Sequence, residues 1–133
     1  MKVIAPVRDH DTFGSGLFGA SRDGGKRTHS GIDFACYPGS IVLACSSGTV
    51  TKLGYPYGDD PHYRYVEVTD HDLRRFRYFY VKPTVSMNQM IIKGGALGTS
   101  QELNRRYVGI TEHVHLEIKD QNDEFLDPGE YII

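Results

Sequence analysis

"YRYVEVTDHDLRRFRYFYVK" occupies residues 63 to 82. In its first half Val66 and Val68 alternate with Glu67 and Thr69; in its second Phe76 and Tyr78 alternate with Arg75 and Arg77. A period of two sends successive side chains to opposite faces of a strand, and no helix accommodates it. The polar turn "DHDLR" between the halves closes them into an antiparallel hairpin.

Working outward, the same pattern recurs in "GIDFAC" (31 to 36), "SIVLAC" (40 to 45), "GTVTKLG" (48 to 54) and "HVHLEIKD" (113 to 120), separated by Gly, Pro, Asp and Ser clusters. No segment carries a long helical stripe; "SQELNRR" (100 to 106) predicts at most one helical turn after a Ser cap. The class is all-β, a compact antiparallel sandwich or half-barrel. Three connections are long for hairpins, 18 to 30, 54 to 64 and 100 to 112, and long loops on a rigid sheet frame a groove.

With 133 residues the chain has room for one hydrophobic core, so a single domain over 1–133 is expected. A net charge of -2 lacks the basic footprint of a general nucleic-acid binder, and no nucleic-acid partner is expected. The opening "MKVIAPVRDHD" is broken by Pro6 and charges too soon for a signal-peptide core or a membrane span; neither export signal nor membrane partner is expected. Cys36 and Cys45 form either one bridge or two small buried apolar groups.

Chemistry concentrates at two places. On a strand His113 and His115 share one face, opposite Val114 and Leu116, which point to the core. Alone such a pair has three readings: two ligands, one ligand beside an acid or base, or two polar residues on one face. "HSGID" adds His29 and Asp33, with Gly31 leaving room for a tight approach. His29, Asp33 and one histidine of the pair make three nitrogen and oxygen donors with a fourth position open, the plan of a catalytic zinc site.

The motifs "GLFG" (16 to 19), "HSGIDFA" (29 to 35), "ACSSGTV" (44 to 50), "YFYV" (78 to 81), "KGGALGTS" (93 to 100), "HVHLE" (113 to 117) and "LDPGEYI" (126 to 132) resemble, in order and spacing, the lysostaphin-like zinc metallopeptidases that cut peptidoglycan cross-bridges. The resemblance implies one zinc ion held by His29, Asp33 and His115. It gives His113 a catalytic, non-ligand role and Glu117 a supporting one beside the ligand histidine. Partners would be cross-bridge or stem peptides of the bacterial wall, and a phage or virion-associated lysin would fit the absence of a signal peptide.

At Tyr80 the chain departs from the family's Y-x-H-L strand, which supplies a second catalytic histidine. A phenol donates a hydrogen bond to an oxyanion but is a poor base near neutral pH. Over 76 to 117 the chain is similar to the leukocyte chemotaxin branch, which keeps the zinc site and is regarded as a non-peptidase signalling group. Two functions therefore remain: a zinc endopeptidase with catalytic His113 and Tyr80, or a catalytically impaired, zinc-stabilised binding module. Among the rest, His71 suits local hydrogen bonding, and His10 and His62 suit solvated positions. Tyr55, Tyr57 and Tyr63 either line a peptide groove or cap the core.

Overall fold

The computed structural model describes Gly19, Ser21–Arg22, Arg27–Thr28 and residues 30–131. Its strands are β1 (Ser21–Arg22), β2 (Arg27–Thr28), β3 (Ile32–Ala35), β4 (Ile41–Leu43), β5 (Gly48–Gly54), β6 (Tyr65–Thr69), β7 (Arg75–Phe79), β8 (Val81–Pro83), β9 (Met90–Ile91), β10 (Ala96–Ser100), β11 (His113–Lys119) and β12 (Phe125–Leu126). One short 3-10 turn, Pro128–Glu130, follows, its first N–H groups capped by the Asp127 carboxylate. Among the described residues there is no α-helix, and the chain is all-β as its periodicity requires.

The main sheet has seven strands, ordered β12-β11-β7-β6-β5-β9, with β3 paired to β11 beside that path. A second sheet runs β4-β10-β8, and β1 and β2 form a separate hairpin; every pairing is antiparallel. The hairpin read from residues 63 to 82 is β6 and β7, in register from Tyr65 opposite Phe79 to Thr69 opposite Arg75. Asp70 closes its turn by accepting from the backbone N–H groups of Asp72 and Arg74 and from the Arg74 side chain.

The core lies between the two sheets. Val66, Val68, Phe76, Tyr78, Val114, Leu116 and Ile118 project from one face of the main sheet and meet Val42, Val81 and Leu97 of the small one. Each is an inward position of a period-two strand, and truncating a large one costs about 2–5 kcal/mol. Cys45 is buried in this core beside the Tyr78 hydroxyl, Cys36 is half-buried, and both thiols are free.

The run "RFRYFYVK" departs from one continuous strand. Tyr80 takes a left-handed φ of 70°, so the chain leaves the main sheet after Phe79 and enters the small one at Val81. Strict alternation would turn Val81 outward; with the phase reset, Val81 is fully buried. A left-handed conformation at a bulky residue costs on the order of 1–3 kcal/mol and persists only where its surroundings enforce it. Here the Tyr80 N–H donates to the Arg64 carbonyl, and its own carbonyl accepts from Gln101. Of the segment 100 to 106 expected to form at most one helical turn, Ser100 ends β10, and a single turn follows in which the Arg106 and Tyr107 N–H groups return to the Leu103 carbonyl.

Candidate metal centre

β3 and β11 pair so that Asp33 stands directly opposite His115. Register partners on one face bring their side chains together, and His115 Nδ1 lies 2.8 Å from Asp33 Oδ1. Gly31 makes the approach possible: a Cβ there would fall 2.1 Å from the Leu116 carbonyl oxygen and 3.0 Å from the His115 ring. The expected third donor, His29, lies outside the described residues, as do His10 and most of the loop from 18 to 30. Among the described residues no group of three or more metal-ligating side chains is assembled.

The hydrogen bonds fix which atoms face which. His115 Nε2 is 3.0 Å from Glu117 Oε1, and a carboxylate only accepts, so Nε2 carries a proton. In a neutral ring the Nδ1 lone pair then faces the Asp33 carboxylate. Two acceptors at that distance need a proton or a cation between them. Burial opposes charge on His115, but Asp33 and Glu117 outweigh it and push the imidazole pKa up to about 9, so in the metal-free protein the bridge is a proton. The pair fits zinc in donor chemistry; its 2.8 Å separation is that of a hydrogen bond, shorter than the roughly 3.3 Å between ligand atoms set by tetrahedral bonds of about 2.0–2.1 Å. Glu117 occupies the far nitrogen of His115; burial raises its own carboxyl, but His115 and Arg77 outweigh this and hold it low.

His113 lies on the same face, almost fully buried. Its Nδ1 is 2.7 Å from the Thr111 carbonyl oxygen, which can only accept. The neutral ring therefore holds its lone pair on Nε2, 3.5 Å from Asp33 Oδ2. That tautomer leaves an acceptor nitrogen beside the would-be metal ligands.

Tyr80 stands against His113, ring edge to face, with centroids 5.6 Å apart. Its hydroxyl lies 2.9 Å from that of Tyr57, which in turn lies 2.5 Å from that of Tyr107. Burial drives the Tyr80 phenol well above its usual range, with nearby Asp33 adding to the rise. Near neutral pH it therefore stays protonated and serves as a hydrogen-bond partner, not a base.

The loops from 54 to 64 and 100 to 112 are laced together beside this ring. Tyr63 donates to the Glu102 carbonyl, the Gln101 side chain joins the His62 carbonyl to the Arg64 N–H, and Arg106 reaches the carboxylates of Asp59 and Asp60. Tyr63, Leu103 and Ile110 form a small second core under them, against which Tyr57, Tyr80 and Tyr107 pack. The alternatives for the loop tyrosines thus divide: Tyr63 caps a core, Tyr57 is half-buried beside the site, and Tyr55 is exposed under the Arg64 guanidinium. His71 is exposed beside Asp72, and the His62 ring packs on Tyr63. Tyr107 and Arg106 are not among the expected site residues; the folding of the loop from 100 to 112 against the loop from 54 to 64 brings them here.

An all-β double sheet that presents a carboxylate from β3 and two imidazoles from β11 on one face has the make-up of a metallopeptidase scaffold. The model of peptidase family M23 matches residues 27–128, and the chain belongs to that family. It is 32% identical over 123 residues to mouse leukocyte cell-derived chemotaxin-2, covering 88% of this chain and 76% of that protein. Among solved structures, the catalytic domain of the antimicrobial peptidase lysostaphin from Staphylococcus simulans superposes with a TM-score of 0.67 at 23% identity, covering 87% of this chain and 88% of that one. A mutant catalytic domain of the prophage-encoded M23 protein EnpA from Enterococcus faecalis superposes with a TM-score of 0.68 at 20% identity, covering 96% of this chain and 97% of that one. These likenesses establish the fold; the chain spans 49% of the complete lysostaphin chain.

Proposed function

We propose that the chain is a zinc-dependent endopeptidase domain, one domain over 1–133, acting on peptides of bacterial peptidoglycan. The observation that carries this is the Asp33–His115 pair, 2.8 Å apart with Glu117 on the far imidazole nitrogen. His29, Asp33 and His115 hold the ion. A zinc ion there supplies Lewis-acid polarisation of the scissile carbonyl and activation of water. His113 accepts the proton of the attacking water at Nε2, and the Thr111 carbonyl, by accepting from Nδ1, selects the neutral tautomer whose lone pair lies on that nitrogen. Tyr80 donates its hydroxyl hydrogen to the carbonyl oxygen as negative charge develops there. A phage or virion-borne lysin is one setting for such an activity.

A second reading is a zinc-stabilised binding module that holds wall peptide, glycan or protein without cutting it. Tyr80 in the place of a catalytic histidine favours it, as does the likeness to a protein named as a chemotaxin. Here the metal contributes to folding by tying the segment before β3 to the sheet.

Zinc-loaded protein incubated with purified peptidoglycan, or with a pentaglycine-type peptide, separates the two. New amino termini that disappear in His113→Ala establish the peptidase. Binding without release establishes the module.

A further inference from the structure

Four side chains outside the metal edge form one continuous line. Arg106 Nε donates to the Tyr107 hydroxyl oxygen at 3.3 Å; the Tyr107 and Tyr57 hydroxyls are 2.5 Å apart; those of Tyr57 and Tyr80 are 2.9 Å apart. The Arg106 guanidinium also lies over the Tyr57 ring, 3.8 Å from its centroid. Each hydroxyl both donates and accepts, so such a line needs something at its ends to choose its direction.

The guanidinium end sets it. Guanidinium has five donors and no acceptor, so there the Tyr107 oxygen accepts, and the 2.5 Å contact gives Tyr57 as the acceptor for the Tyr107 hydroxyl hydrogen. Guanidinium over the Tyr57 ring withdraws electron density and favours that hydroxyl as a donor to Tyr80. At the other end the Tyr80 ring stands against His113, with centroids 5.6 Å apart, so a Tyr80 oxygen that accepts from Tyr57 leaves its own hydrogen for the metal edge. Arg106 is itself held by Asp59 and Asp60, which fixes the donor end.

We infer that Tyr107 and Tyr57, driven by Arg106, are positioning residues that orient the Tyr80 hydroxyl hydrogen into the active site, where it meets the substrate's carbonyl oxygen. This rests on the peptidase reading and gives Tyr80 what a lone phenol lacks: a donor direction set before substrate arrives. The chain runs through both loops, so the same hydroxyls that close the groove wall aim the donor. Preorganised donors need no reorientation when charge develops.

The test uses the full chain with Tyr57→Phe and Tyr107→Phe, which keep both rings and their packing, and Tyr55→Phe as a control outside the line. In metal-free protein labelled at tyrosine Cζ, the Tyr80 resonance is expected to move in Tyr107→Phe, although Tyr80 is two hydroxyls away, and to stay in Tyr55→Phe. In zinc-loaded protein, a phosphinate analogue of a glycine peptide, which carries a tetrahedral anion, is expected to bind roughly tenfold more weakly in Tyr57→Phe, the scale of one hydrogen bond. Affinity for the uncut peptide and for zinc should be unchanged. An unmoved Tyr80 resonance in Tyr107→Phe, or equal weakening for peptide and phosphinate, overturns the relay. Failure of the wild-type protein to bind phosphinate at all overturns the peptidase reading, and the metal-free resonance then decides the relay on its own.

Discussion

On one side of the site Asp33 and His115 are partners in a β ladder; on the other, Tyr80 is held at a left-handed φ between two sheets and tied by its hydroxyl to loops that start 26 residues earlier and 20 residues later. The ladder side takes its geometry from backbone hydrogen bonds, which fix side-chain positions to within the pleat. On the tyrosine side the backbone fixes Tyr80, and the hydroxyl line takes its geometry from side chains. A perturbation of the backbone should therefore be felt most at the first, and a perturbation of single hydroxyls or carboxylates most at the second.

The largest effect is expected where the ladder is tightest. Gly31→Ala places a methyl 2.1 Å from the Leu116 carbonyl oxygen, which is backbone and has nowhere to go. The β3 edge must move off β11, at a cost of about 3 kcal/mol, the upper range for overpacking. Asp33 moves with it, so zinc binding should fall together with the melting temperature. A variant that melts normally would show that the two strands are less closely locked than the register implies.

Next in size is the metal itself. Zinc at one hundred times its dissociation constant stabilises a folded protein by about 2.7 kcal/mol, which for a domain of this length raises the melting temperature by roughly 10 °C. His115→Ala or Asp33→Asn should abolish that rise, and chelation should reverse it in the wild type. A zinc-induced rise that survives in His115→Ala would remove that residue from the ligand set. Glu117→Ala is a smaller step on the same side: the far nitrogen of His115 loses its carboxylate, and zinc affinity measured by competition with a chelator should fall about 10–100-fold.

What the sequence makes legible follows the same division. Alternation in "YRYVEVTDHDLRRFRYFYVK" and "HVHLEIKD" settles the strands and the core face, because period two is written in every pair of residues. His113 and His115 are readable as neighbours on one face for the same reason. The two-residue strands β9 and β12 are not, since they give no alternation; β8 runs on from β7 in the sequence, and β10 is interrupted by the glycine in "ALGTS". Tyr80 is legible as a substituted position but not as a break in the strand: no glycine or asparagine marks its positive φ, which Arg64 and Gln101 impose from elsewhere. The Tyr57–Tyr107 contact spans 50 positions between two irregular loops, where neither periodicity nor turn chemistry reports distance.

The smallest expected effect is also the most local, and it lies on the tyrosine side. Glu112 accepts from the Leu103 and Asn104 N–H groups with its two carboxylate oxygens, at 2.7 and 2.9 Å, and so pins the start of the bend that carries Arg106 and Tyr107. Hydrogen bonds to a charged acceptor contribute more than neutral ones, and losing them here should cost about 2 kcal/mol. Because the bend sits on its own small core of Tyr63, Leu103 and Ile110, that cost should appear as faster hydrogen exchange across 103 to 110 in Glu112→Ala, with little change at β6 or β11. Zinc affinity should stay at the wild-type value, since none of the hydrogen bonds recorded for Glu112 reaches Asp33 or His115. Exchange that quickens equally across the main sheet would mean that the loop wall and the ladder are one cooperative unit, and the contrast between the two sides of the site would fail.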